Sequence, residues 1–236
     1  EWDSWLHQNV KAQVRKDEEE RKGCNSTIYN YHKSLKALLH RAVDFGLIES
    51  SPYVKLQGKF SRGDNESVEY LSEEQMQVIL SLHPVVGSQM EAVRDLCVFQ
   101  MFTGLAYSDT QVFDMSGYHK DGDIWIANGK RIKTGVPYVS VLLPPVIDVL
   151  SRHNWQTPKI CNQKYNALLK TMGTVIGIEH LHTHLARHTF ATYMLSNNVK
   201  VENLMRMLGH KNINQTMRYA KVLAKDVQSD FEMIGS

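Results

Sequence analysis

The sequence predicts a mainly α-helical chain with one small antiparallel sheet, an α+β fold split into a small helical domain and a larger mixed one. Three observations predict it. Apolar residues recur at helical spacing along most of the chain, residues 121–145 change to short strand-like runs broken by turn dipeptides, and residues 57–67 (QGKFSRGDNES) have linker composition. The expected domains are therefore residues 1–56 and 68–236, joined by 57–67. Of 236 residues, 42% are hydrophobic and 22% charged, against about 45–50% and about 25% in average folded domains, which excludes disordered, collagenous and coiled-coil chains. Cys24, Cys97 and Cys161 have no CxxC spacing and fit neither a disulfide framework nor a zinc site, so a reducing, cytosolic setting is expected. No apolar run reaches the roughly 18 residues of a membrane span, and no secretory leader pattern is present. A start at Glu1 points to a fragment truncated at its N-terminus.

In the first domain Trp2, Trp5, Leu6, Val10 and Val14 recur at helical spacing, and the acidic run Asp17–Glu20 reads as a solvated face or helix end. A clearer helix follows. Ile28, Tyr31, Leu35, Leu38, Leu39, Ala42 and Val43 share one face, Asn25 or Ser26 caps the start, and Gly46 caps the end. Its polar side carries His32, Lys33, Lys36, His40 and Arg41 beside Tyr29, either a solvated face or a set of phosphate contacts.

After the linker, Ser72 and Gln75 form a capping box that opens a helix through Met76, Ile79 and Leu80, and a second helix runs from Met90 to Phe102. Ile124 to Ile126 then form a strand turned by Asn128-Gly129, a second short strand takes Arg131 to Lys133 into a turn at Thr134-Gly135, and a third runs through Tyr138, Val139 and Val141. From Val146 the spacing is helical again, broken at Gly173, Gly177, Asn197-Asn198 and Gly209. The apolar tail residues Val222, Leu223, Val227, Phe231 and Ile234 allow one more helix, which docks on a neighbouring subunit or on its own domain.

The chemistry concentrates in HLHTHLARHTFATYML (180–195) and LMRMLGHKNINQTMRYA (204–220). His184 and Arg187 lie three apart and share a helix face, His210 follows a glycine at a helix end, and Tyr219 comes nine residues later. A guanidinium grips phosphate through paired hydrogen bonds, an imidazole handles a proton, and a phenol serves as a covalent nucleophile, so the set suits phosphoryl transfer. The His184/His188 pair has zinc-ligand spacing, but Leu185 stands where a metalloprotease needs glutamate, and no metal is expected. Met194, Met205, Met207, Met217 and Tyr193 read as core.

With these residues the sequence resembles the tyrosine recombinases, the phage-type integrase family. The matching pieces are Thr103-Gly104-Leu105 with Ser108-Asp109, Lys133-Thr134-Gly135, His184-x-x-Arg187-His188-Thr189-Phe190-Ala191-Thr192, Leu208-Gly209-His210 and Tyr219, in family order over residues 68–225. The helix ending at Gly46-Leu47-Ile48 resembles the end of the family's core-binding domain. The resemblance implies a transesterification without metal, ATP or other cofactor. Tyr219 attacks a DNA phosphate to give a 3′-phosphotyrosyl enzyme and a free 5′-hydroxyl. Arg187 neutralises the nonbridging oxygens, His184 and His210 handle protons and phosphate contacts, Lys133 protonates the leaving 5′-oxygen, and His188 supports the site. Asp109 braces active-site side chains, or simply favours a helix dipole. Lys33, Lys36 and Arg41 would contact DNA. The implied partners are a double-stranded recombination site, a homotetramer on DNA formed from free monomers, and an accessory DNA-bending protein. The implied role is integration and excision of a mobile element, in the nucleoid of a bacterial cytoplasm away from any membrane.

One departure stands out: Ala106 occupies the position of the family's first arginine. It marks a dead enzyme, an engineered knock-out, or a subfamily that supplies the charge from elsewhere. Arg131, two residues before Lys133, is the candidate substitute, and period-two alternation places both on one sheet face. Integrases of some conjugative transposons are similar in lacking the first arginine while keeping one just ahead of the lysine. A catalytically impaired DNA-binding relative and a type IB topoisomerase-like enzyme are the rival functions.

Net charge, 27 Lys+Arg against 25 Asp+Glu, hides segregation. Residues 25–62 hold six basic side chains against two acidic ones, and residues 180–225 hold seven against one, the footprint of a DNA-facing surface.

Overall fold

A computed structural model describes residues 1–10, 25–56 and 68–234, with the side chains of 225–234 excepted. Val14, the acidic run Asp17–Glu20, Cys24 and the segment 57–67 lie outside the described residues, as do the side chains of Val227, Phe231 and Ile234. The chain forms two compact units, residues 1–65 and 66–236.

The first unit holds α1 (Trp2–Asn9), α2 (Asn25–Asp44) and a 3-10 turn (Pro52–Leu56). Leu6, Ile28 and Tyr53 are its buried apolar residues. His32, expected on the polar face of α2, is instead 4% exposed. Its Nδ1 lies 2.7 Å from Tyr53 Oη and its Nε2 3.0 Å from Asp3 Oδ1. That bridge turns the Ile28/His32 stripe inward, one helical turn per residue, and leaves Tyr31 and Leu38 at 49% and 64% exposure instead of buried. Trp2 and Trp5 stack at 5.3 Å on the surface of α1, where Leu6 alone is buried. Lys33, Lys36, His40 and Arg41 are exposed, as expected.

The second unit runs α3 (Glu73–Leu80), α4 (Gln89–Thr103), α5 (Tyr107–Thr110), β1 (His119–Asp121), β2 (Ile124–Lys130), β3 (Pro137–Leu142), α6 (Pro144–Arg152), α7 (Asn162–Val175), α8 (Thr183–Ser196), α9 (Val201–Leu208) and α10 (Asn214–Ile234). The Ser72/Gln75 capping box forms at both bonds. Helix α4 is buried on nearly every side, which explains its weak amphipathicity. Its Leu96, Phe99 and Met101 pack with Val149 and Leu150 of α6, Leu169 of α7 and Leu185 of α8. The fully buried Asp95 ties α4 to the end of α6 through Arg152 at 2.9 Å and His153 at 2.7 Å. A second cluster joins Phe190, Ala191 and Met194 of α8 to Leu204 and Leu208 of α9 and Tyr219 and Val222 of α10. Helix α8 thus contributes to both apolar clusters, and Arg187 falls in sequence between its residues of the first and those of the second.

The sheet is antiparallel in order β1-β2-β3, but its strands are not those the dipeptides suggested. Asn128 and Gly129 lie inside β2, opposite Val139 and Tyr138. The two-residue turn is Gly122-Asp123, with Gly122 at φ 58°, where a side chain would be strained. Gly129 has a packing role: a Cβ there would meet Tyr138 Oη at 2.6 Å. Arg131 to Lys133 form no strand but enter the β2–β3 turn, closed by Arg131 N donating to Val136 O at 2.9 Å. Gly173, expected to break a helix, lies within α7, where a Cβ would stand 2.9 Å from Leu181 Cβ. Met217 is 37% exposed rather than core. No helix among the described residues is long and apolar enough to cross a membrane.

Candidate active site

The site is built around a backbone carbonyl. Leu208 ends α9, and Gly209 follows in the left-handed region at φ 60°, so the Leu208 carbonyl is one of the acceptors a helix end leaves without an internal partner. It sits at the negative end of the helix dipole and draws two cations. Arg187 Nη2 donates to Leu208 O at 2.6 Å, and Arg131 Nη1 donates to the same oxygen at 2.8 Å. A Cβ at position 209 would meet Arg131 Cγ at 2.7 Å, so glycine is required for that approach as well as for the turn.

Each guanidinium is held a second time. Arg187 Nη1 donates to Gly104 O. Arg131 Nε lies 2.7 Å from Asp109 Oδ2, an ion pair whose atoms are not aligned as a hydrogen bond. Asp109 is 2% exposed, and its Oδ1 accepts from Ile132 N at 2.9 Å, so one carboxylate fixes both the arginine and the turn that follows it. Burial and the neighbouring Arg131 cation push Arg187 down to about 9, which leaves it cationic at neutral pH. Arg131 Nη2 has no hydrogen-bond partner among the described residues.

The histidines gather on this pair. His210 Nε2 faces Arg187 Nη2 at 3.3 Å, and its Nδ1 lies 2.9 Å from Thr216 Oγ1. Burial, then Arg187, Arg131 and Arg218, lower His210 to about 4. His184 is lowered by loss of solvent and then by the fields of Arg187 and of Lys133, which is exposed in the β2–β3 turn. The expected same-face pairing of Arg131 and Lys133 does not arise from strand alternation: Arg131 points in to Asp109 and Leu208, and Lys133 stands out on the turn. His184 and His188 stack at 6.4 Å between centroids.

Tyr219 lies on α10, 2% exposed, with Oη 2.9 Å from His188 Nδ1. Burial raises its pKa, while the Arg218 and Arg187 cations pull it back down. Ala106 caps the start of α5 without a side-chain bond, and its methyl offers phosphate nothing. Sequence reasoning missed the Leu208 carbonyl, Thr216, and Gln100, whose amide donates to Leu105 O at 3.1 Å and accepts from Tyr165 and Thr183. Thr216 had one signal, its place three residues before Tyr219 on the same helix face. A backbone acceptor leaves none.

The chain was compared with known proteins. A 37% identical stretch of 76 residues matches tyrosine recombinase XerA of Saccharolobus solfataricus, covering 31% of this chain and 26% of that protein. Tyrosine recombinase XerC of Bacillus licheniformis is 33% identical over 109 residues, 44% of this chain and 32% of that one. XerC of Lactobacillus leichmannii is 22% identical over 228 residues, 88% and 76% respectively. The chain thus spans about a third or less of the first two relatives' length. In fold it is similar to the Tn1549 transposon integrase in complex with a circular intermediate DNA (TM-score 0.61, 18% identity, 87% of this chain and 80% of that one). It is also similar to the XerH site-specific recombinase in its post-cleavage complex with palindromic difH substrate (TM-score 0.72, 14% identity, 90% and 68%). The phage integrase family model matches residues 69–226, well over half of the chain and all of the site just described, and the chain belongs to that family.

Proposed function

We propose that the chain is a site-specific DNA recombinase that cleaves and rejoins strands through a 3′-phosphotyrosyl link on Tyr219. One observation carries the reading: two guanidiniums, Arg187 and Arg131, converge on one carbonyl beside a neutral His210, with Tyr219 Oη 2.9 Å from His188, the residue that follows Arg187. Relatives named tyrosine recombinases, and fold neighbours solved on DNA, support it.

In this reading the scissile phosphate binds Arg187 and the free edge of Arg131, which stands in for the arginine absent at Ala106. The fixed cations meet negative charge as it builds on the nonbridging oxygens, with no reorganisation during the step. His210 and His184 contact the phosphate, Lys133 protonates the 5′-oxygen, and Asp109 braces Arg131. No metal or nucleotide is needed, because the phosphodiester energy is kept in the tyrosyl link. Residues 1–56 act as the core-binding domain, with Lys33, Lys36 and Arg41 on DNA phosphates, residues 57–67 as the linker, and 68–236 as the catalytic domain. The likeness to a transposon integrase supports integration and excision of a mobile element, with a tetramer on two duplexes, an accessory bending protein, and action in the bacterial nucleoid as its further parts.

The test is a nicked duplex carrying a site that the protein binds. An adduct that survives denaturation is expected, and Tyr219→Phe abolishes it. Binding without adduct leaves an impaired DNA-binding relative, as Ala106 would suggest, and relaxation of plasmids lacking the site favours the topoisomerase-like reading.

A further inference from the structure

His188 follows Arg187 on α8 but faces the other cluster. Its Nδ1 lies 2.9 Å from Tyr219 Oη and its Nε2 3.5 Å from Arg218 Nη2. The imidazole is tilted against the phenol at 5.6 Å between centroids, and Arg218 Cζ stands 5.3 Å from the Tyr219 centroid. These contacts decide which ring nitrogen carries the proton. A guanidinium only donates, so the nitrogen facing it must accept, and a neutral imidazole then has its single N–H on the other side. Burial, followed by Arg218 and the neighbouring histidines, holds His188 neutral, down at about 3. Its proton therefore sits on Nδ1 and points at the phenolic oxygen. A donor aimed at that oxygen favours phenolate over phenol. Arg218 acts on the same oxygen twice, through the imidazole it polarises and across the face of the ring.

We propose that His188, set in its Nδ1–H tautomer by Arg218, is a catalytic residue that donates to the Tyr219 oxygen and stabilises the phenolate as it attacks DNA. The inference rests on Tyr219 being the nucleophile. In the step, the Oη–P bond forms while the P–O5′ bond breaks. The phenol proton passes to water, because Nδ1 already holds one, and the departing 5′-oxygen takes a proton from the Lys133 ammonium. His188 keeps its own proton throughout.

Asparagine can place an N–H where Nδ1 lies, and leucine cannot. With the full chain at saturating nicked duplex, His188→Leu lowers the single-turnover rate of adduct formation about 10- to 100-fold, the loss expected for one donor to a charged acceptor, with DNA affinity unchanged. His188→Asn stays within about fivefold of the parent on the same scale. Two-bond proton–nitrogen correlation spectra of the unaltered protein at neutral pH show Nδ1–H at His188, the minor tautomer of free histidine. An unaltered rate in His188→Leu overturns the proposal, as does an Asn variant as slow as the Leu variant, or an Nε2–H signal in the spectrum. An adduct that persists in Tyr219→Phe brings down the nucleophile assignment and this inference with it. Loss of the adduct in Tyr219→Phe beside undiminished cleavage by His188→Leu brings down this inference alone.

Discussion

At the scale of single residues, the proposed function makes Arg131 the substitute for the charge that Ala106 lacks. The side chain that replaces an arginine need not occupy its position in sequence, provided another element carries a guanidinium to the same anion. Arg131 reaches from the end of β2, held by Leu208 O at 2.8 Å and Asp109 at 2.7 Å. Arg131→Ala therefore lowers adduct formation about 100-fold or more, the scale of removing one preorganised charge donor. It also strands Asp109, 2% exposed, as an unpaired buried charge, at about 3–5 kcal/mol of stability. The two effects separate in Arg131→Ala/Asp109→Asn, which regains much of the melting temperature and none of the cleavage. Arg131→Lys does not rescue, since an ammonium cannot hold carboxylate and carbonyl while presenting a second N–H edge. Undiminished cleavage by Arg131→Ala sinks the substitution idea. The side chains that gather here, Arg187, His210 and Tyr219 among them, stood out in the sequence because their types and intervals are specific. What holds them, a carbonyl at Leu208 and another at Gly104, was not, because every residue has one.

At the scale of elements, the sheet shows where local signals mislead. Asn-Gly is a strong turn dipeptide, yet at Asn128-Gly129 the chain runs on as strand, and the turn forms six residues earlier at Gly122-Asp123. Both glycines satisfied the turn signal; only tertiary packing told them apart, because Tyr138 needs the space above Gly129. The same packing carries the β2–β3 turn, and with it Arg131 and Lys133. Gly129→Ala forces the Tyr138 ring aside and destabilises by about 1–3 kcal/mol. Because the clash is with one side chain, most of the loss disappears when Gly129→Ala is made in a Tyr138→Ala background. Equal losses in the two backgrounds, measured by urea unfolding, would show that the strand and not the ring sets the requirement. Helix α2 misled in a similar way: His32 counted as polar surface, but bonds from Asp3 and Tyr53 make it core, and periodicity cannot see partners more than 20 residues away.

At the scale of the whole molecule, a mainly helical plan with one small sheet was legible from composition and period, since these are averages over many residues. Net charge was an average too coarse to use until it was divided by segment. Titration is another whole-molecule property, and here the half-buried histidines set its sign. His188 and His210 sit at about 3 and about 4 in the folded chain, against about 6.5 when unfolded. Between those values the unfolded chain binds protons that the folded chain refuses. The stability that neutral histidines allow is complete above about pH 6.5 and drains away as pH falls toward about 4. Protonation would also set an imidazolium against Arg218 at one ring and Arg187 at the other. Allowing for the solvent that still reaches both rings, the two contribute a slope of about 1 kcal/mol per pH unit near pH 5. Of the four tryptophans, Trp2 and Trp5 belong to the first unit, so Trp2→Phe/Trp5→Phe leaves Trp125 and Trp155 to report unfolding of the second. In that background the urea midpoint falls between pH 7.5 and pH 5, and His188→Asn/His210→Asn flattens the fall whatever it does to the midpoint at pH 7.5. A slope as steep as the parent's in that variant would move the acid sensitivity to the carboxylates and mean that the two histidines take up protons alike in the folded and unfolded chain.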